Sequence, residues 1–215
     1  MGLKEALGLG SYQTAWTWLH KLRRAMIRPG RDRLHGNIEL DETYIGGPEE
    51  GPRGRGSENK SLVLIGVERE GKRLGRTRMR IIGDLRTETI MAFVRNSIEP
   101  GSTVRTDGLN SYLALVSEGY AHDRVVQRSS KEKADELLPG VHRVASLLKR
   151  WLLGTHQGAV SPQHLGYYLD EFAFRFNRRM SNHRGKLFYR LMQHAVSLET
   201  TPYREIVAPK KNHHI

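Results

Sequence analysis

Asp41 and Asp107 are carboxylates at positions where an acid needs a reason to be, and His142 and Lys149 share a spacing suited to chemistry. Asp41 sits in LDETYIGG, between apolar neighbours in a stretch that reads as a strand. An acid inside an apolar strand costs free energy unless it is paired or bound to a cation. Asp107 closes the short segment STVRTDG, where its ordinary role beside Gly108 is that of a turn former or helix cap. His142 and Lys149 lie seven residues apart. At ~100° per residue they fall on nearly the same face of one helix. Carboxylates at adjacent strand ends can converge on hard, oxygen-loving Mg²⁺ or Mn²⁺. Two such ions activate a water or hydroxyl and steady the leaving oxygen of a phosphodiester displacement. A lysine close by adds positive charge for a DNA backbone.

Strands and helices must position these groups, and the pattern supplies both. NIELDETYIGG reads as a strand anchored by Ile38, Leu40 and Tyr44. The Gly-, Pro- and charge-rich segment 47–60 reads as a loop. SLVLIGVER and RTRMRIIGD form a hairpin across the EGKRLG turn. RTETIMAFVRNSI is a helix with Ile90, Phe93, Val94 and Ile98 on one face. STVRTDG is a short strand, LNSYLALVSEG a helix, and RVVQRS a further strand, with a polar loop over 128–138. VHRVASLLKRWLLGTH is a helix. SPQHLGYYLDEFAFRFNRRM is a long one capped by Ser161, with Pro162 at its first position. The tail from Pro202 reads as frayed. This order fits an α/β, ribonuclease H-like three-layer fold with a mixed five-stranded sheet flanked by helices.

Ahead of that domain, YQTAWTWLHKLRRAM places Ala15, Trp18, Leu19, Leu22 and Met26 at helical spacing. Thr14 is its expected cap and Pro29-Gly30 its stop. It is either the last helix of a helix-turn-helix or an amphipathic helix packed on the main domain. Trp16, Trp18 and Trp151 read as packing residues. The expected division is a helix-turn-helix remnant over 1–36, a catalytic domain over 37–200 and a flexible tail over 201–215.

Composition points to the partner. The 215 residues carry a formal net charge of +12 and a pI near 10.2. The 38% apolar content is enough to bury a core. No run approaches the ~20 apolar residues of a membrane helix, and no signal peptide is legible. The absence of cysteine excludes disulfides, thiolate zinc sites and thiol nucleophiles, and suits a reducing cytoplasm. Basic residues cluster at Lys21–Arg33, at Arg69–Arg80 and at Arg175–Lys186. Such clusters neutralise phosphates with little sequence information, so nucleic acid is the favoured partner.

At IELDETYIGG, RTDGLNSY, VHRVASLLKRWLLGTHQG and YLDEFAFRFNRR the chain resembles bacterial insertion-sequence transposases of the DDE class, in their ISXO-like branch. The resemblance spans most of residues 9–180 and rests on the blocks occurring together in this order. It implies a divalent metal, Mg²⁺ or Mn²⁺, in a two-metal site. It also implies double-stranded DNA as partner, both transposon ends and target, strand cleavage and transfer, and a homodimer that pairs two ends. A bacterial, nucleoid-associated protein of the cytoplasm, without membrane attachment, is the corresponding expectation.

Carried over by position, Asp41 and Asp107 are the first two metal-binding carboxylates. His142, 35 residues after Asp107, takes the place of the third acid, and Lys149 matches the basic residue of the pattern. A neutral imidazole ligates Mn²⁺ or, less well, Mg²⁺. Glu171 in YLDEFAF is the rival third acid, and strand alternation turns Glu42 toward the opposite sheet face. The expected DNA contacts are Lys21, Arg23, Arg24, Arg28, Lys149, Arg150, Arg178 and Arg179. The family pattern also carries a cysteine zinc ribbon and a full helix-turn-helix ahead of this domain, so an N-terminally shortened copy is expected.

Overall fold

The structure, a computed structural model, describes residues 2–27, 30–46, 60–126, 137–157 and 160–208. Its elements run α1 (Gly2–Ala6), α2 (Tyr12–Ala25), β1 (Asn37–Ile45), β2 (Ser61–Glu70), β3 (Arg73–Ile82), α3 (Thr87–Ser97), β4 (Thr103–Thr106), a 3₁₀ helix (Asn110–Leu115), β5 (Ala121–Arg124), α4 (Pro139–His156), α5 (Leu165–Asn177), α6 (Arg184–Ser197) and α7 (Tyr203–Val207). They form two compact units, residues 32–162 and residues 1–31 with 163–215.

In the first unit the five strands make one sheet in the order β3-β2-β1-β4-β5. β1 is antiparallel to β2, and β2 to β3, whereas β4 runs parallel to β1 and to β5. β2 is buried from Leu62 to Glu68, as a central strand covered on both faces must be, and its near-continuous apolar run reflects that. On one face, Ile38, Leu40 and Leu64 pack with Ile90, Phe93 and Val94 of α3 and Tyr112 of the 3₁₀ helix. On the other, α4 packs against β1 and β2 and buries Val141, Val144, Leu148 and Leu152. Helix, mixed sheet and helix are the layers of the ribonuclease H-like fold.

Several local expectations change. The hairpin turn is only Gly71-Lys72, because pairing continues out to Glu70 and Arg73 and Gly71 takes a left-handed φ of 59°. The segment after Asp107 is a 3₁₀ helix rather than an α-helix. β5 forms at Ala121–Arg124, ahead of the expected RVVQRS, because Ala121 pairs in parallel with Thr103 at the start of β4. Residues 47–59 and 127–136 lie outside the described residues, and with them most of the two expected loops. α4 starts two residues early, with Pro139 in its first turn. α5 starts at Leu165 with His164 as its N-cap, not at Ser161-Pro162.

In the second unit Ser11, rather than Thr14, caps α2, its hydroxyl accepting from the Thr14 N–H at 3.1 Å. The buried face of α2 is Ala15, His20, Arg23 and Ala25, while Trp18 is exposed. α5 dictates this polar face. Tyr167 and Tyr168 meet the His20 ring edge-on, and Arg23 lies over Tyr168 at 4.1 Å. Burial, then Arg23 and His164, pull the His20 pKa down to about 3, so it packs as a neutral ring. Where a frayed tail is expected, α7 buries Ile206, whose carbonyl lies 2.9 Å from His164 Nε2.

Candidate metal centre

The register of the sheet brings two distant acids together. β1 and β4 pair in parallel at Asn37–Thr103, Ile38–Val104 and Glu39–Arg105. Continued two places, that register sets Asp41 opposite Asp107, at the carboxyl ends of adjacent parallel strands where open α/β sheets present their clefts. β1 runs on beside β2 as far as Ile45, so past Glu39 its edge toward Asp107 carries no strand.

Alternation along β1 then sorts the side chains. Asp41 faces α4, where its Oδ2 lies 3.0 Å from His142 Nε2. Glu42 faces the other layer, where the buried Tyr112 hydroxyl donates to its Oε2 at 2.9 Å. Even so, one carboxylate oxygen from each of Asp41, Glu42 and Asp107 lies within 4.8 Å of the others. Both side chains reach round the open edge to the same place. Alternation predicts the face of Glu42 correctly but not where its oxygens end. The signal available in the sequence was the adjacent acid pair Asp41-Glu42.

The acids disturb one another. Burial raises the Asp41 carboxyl above its ordinary range and Asp107 adds to this, against the opposing pull of His142. Burial, then the neighbouring Asp41, raises Glu42. Burial, then Glu42, pushes the Tyr112 phenol well above its usual value. Crowded, half-buried carboxylates of this kind are stabilised by a cation among them. Three hard oxygen donors suit Mn²⁺ or Mg²⁺, while His142 stands beside this cluster, touching Asp41, rather than within it. The donor set therefore fits the ion that the resemblance implies.

A cleft of about 280 Å³ opens beside these groups. Asp41, Glu42 and Thr43 line it from β1, and His142, Ser146 and Lys149 line it from successive turns of α4. Partial burial pulls the Lys149 ammonium below the ordinary lysine value.

Other expected residues fall elsewhere. Glu171 is buried in the helical unit, its Oε2 2.7 Å from Arg23 Nε and its Oε1 2.7 Å from Arg175 Nη2. With both oxygens taken by guanidinium groups it is a structural ion-pair partner, and this corrects its candidacy as third acid. The same pair corrects Arg23 as a DNA contact, because its side chain is 5% exposed and committed to Glu171 and Tyr168. Arg24 is half-buried, with Nη1 enclosed. Lys21, Lys149, Arg150 and Arg179 reach the surface. Arg178 and Arg179 lie over Phe174 and Phe176. Arg28 lies outside the described residues.

Comparison with known proteins adds the family. The model of the ISXO2-like transposase domain matches residues 33–177. No curated protein matches the chain. Among solved structures, the catalytic core domain of BIV integrase is similar at a TM-score of 0.40 and 13% identity, over 75% of this chain and 98% of that one. The simian T-cell lymphotropic virus intasome in complex with a PP2A regulatory subunit gives 0.37 and 11%, over 98% of this chain and 71% of that one. The Mos1 strand transfer complex gives 0.33 and 13%, over 85% and 63%.

Proposed function

Since the chain belongs to the ISXO2-like transposase domain family, we propose that it cuts and joins DNA strands at a divalent-metal centre made by Asp41, Asp107 and His142, with Glu42 as a further carboxylate. One observation carries the reading: three carboxylate oxygens, two from β1 and one from just past the end of β4, lie within 4.8 Å of one another, and the two β1 acids line a cleft. Bound Mg²⁺ or Mn²⁺ supplies Lewis acidity to the attacking and leaving oxygens of a phosphodiester displacement.

The chain's own groups do the rest. Asp41 and Asp107 present oxygens from adjacent strand ends, and Asp41 also holds the His142 imidazole by its Nε2. An imidazole in this set favours Mn²⁺ over Mg²⁺. Lys149, two turns along α4 from His142, offers a cation to a DNA phosphate at the cleft. The hydroxyls of Thr43 and Ser146 line the same cleft and can donate to phosphate oxygens. Water attacks first and frees a 3′-hydroxyl, which then attacks a target strand. Pairing two transposon ends calls for two copies of the chain.

The test uses a supercoiled plasmid and a duplex with a free 3′-hydroxyl, with Mn²⁺ or Mg²⁺. The wild type is expected to nick the plasmid and join the duplex to it only when an ion is present. Asp41→Ala and Asp107→Ala each lower the rate at least about a hundredfold, the scale of several lost kcal/mol of transition-state stabilisation. Both variants still bind DNA at low salt. A wild type that binds DNA but never nicks or joins it is a DNA-binding remnant. One that nicks without joining is a nuclease on the same chemistry.

A further inference from the structure

We infer that Glu39 is a positioning residue, which locks the start of α4 to β1 and so sets His142 against Asp41. The inference rests on the metal-centre reading for the importance of His142. Its geometry is independent of any ion.

Glu39 is 4% exposed, an acid on the same face of β1 as Asp41 and two residues before it. Its Oε2 accepts the Gly140 N–H at 2.6 Å and the Val141 N–H at 2.9 Å. These are first-turn amides of α4, donors with no partner inside the helix. The chain makes no local cap for them, since Leu138 stands at the N-cap and offers no side-chain acceptor. The cap comes instead from the strand that carries Asp41. A carboxylate there also meets the positive end of the helix dipole. Arg69 Nε, 3.4 Å from the other oxygen, holds the carboxylate from behind.

The fit leaves no slack. A Cβ on Gly140 would stand 2.8 Å from Glu39 Oε2 and 2.8 Å from Arg69 Cδ, so any larger residue there would have to push the Glu39 and Arg69 side chains aside. His142 follows Val141 directly and meets Asp41, just as Gly140 and Val141 meet Glu39. Two ties in register along one strand therefore fix one helix end. Loosening the first moves the second.

The experiment uses metal-free, DNA-free full chain and histidine ¹H–¹³C spectra, with the His142 signal identified by its loss in His142→Gln. In the wild-type background Asp41→Asn displaces that signal. Glu39→Gln keeps an oxygen that accepts both amides, so the displacement persists. Glu39→Asp keeps the charge but is one methylene too short, so the displacement is lost while the melt stays cooperative. Mn²⁺ affinity, read by electron paramagnetic resonance, falls about 10- to 100-fold in Glu39→Asp and recovers in Glu39→Gln. A displacement that survives in Glu39→Asp overturns the inference, and so does its loss in Glu39→Gln. The second outcome decides the matter even if Glu39→Asp does not fold. A wild type that binds no Mn²⁺ sinks the metal centre and leaves the metal-free comparison standing.

Discussion

At the scale of single residues, Asp41 is under opposing pulls. Burial and Asp107 hold its carboxyl above the ordinary range, and His142 offsets only part of this. An acid whose folded pKa stands above its unfolded value destabilises the fold once ionised, and that cost disappears as pH falls through the folded value. Asp41→Asn is therefore expected to raise the metal-free melting temperature at pH 7 by a few degrees. It should also remove the further rise that Mn²⁺ gives the wild type. Calorimetry with and without the ion checks both. A metal-free melting temperature lower than wild type would mean that the His142 contact outweighs burial. Asp41 and Asp107 could be singled out from residue type and neighbours, whereas His142 entered as a candidate ligand only through the family resemblance. Glu42 could not be weighed the same way, because its reach around the strand edge depends on where β4 stops pairing.

Among the elements, the β2–β3 hairpin carries its own ion pair. Burial alone would raise Glu68, but hydrogen bonds from the Arg76 side chain and backbone and from the His35 N–H outweigh it and hold the carboxyl low. The resulting stability is fully present above the ordinary carboxylate value and is lost as pH falls through the lower folded one. Glu68→Gln should cost about 1–3 kcal/mol at pH 7. It should also flatten the loss of melting temperature below about pH 4.5, the unperturbed value for this group. An equally steep acid limb in the variant would show that other groups set it. The elements legible in sequence were those with long periodic patterns: β2, α3 and α4. The 3₁₀ helix, the position of β5 and the buried face of α2 were not. Each is decided by a partner outside the segment itself, namely the α3 layer, β4 and, about 140 residues away, α5 respectively.

For the molecule as a whole, a net charge of +12 makes association with DNA a matter of counterion release. If about 6–10 phosphates are neutralised, affinity drops roughly 10³- to 10⁵-fold between 50 and 200 mM salt. Arg150→Ala removes an exposed cation and should lower the log–log salt slope by about 1. Arg23→Ala should leave the slope alone and instead cost about 1–3 kcal/mol, since it takes one of its two guanidinium partners from the buried Glu171. Binding isotherms over a salt series, paired with thermal melts, separate the two. A fall in slope for Arg23→Ala would return that residue to the DNA surface.

By itself the sequence determined the layered α/β class, the basic character and a short set of acids worth testing, because hydrophobic period and residue type are local properties. Only the tertiary structure decided which acids share a cation-sized space. It took Glu171 out by pairing it with Arg23 and Arg175, and brought Glu42 in through the open edge of β1. It also joined the start of α4 to Glu39 across about a hundred residues of chain. Parallel register, the length by which one strand outruns another, and the supply of a helix cap from elsewhere are all long-range choices. A local pattern leaves no trace of them until the chain has folded.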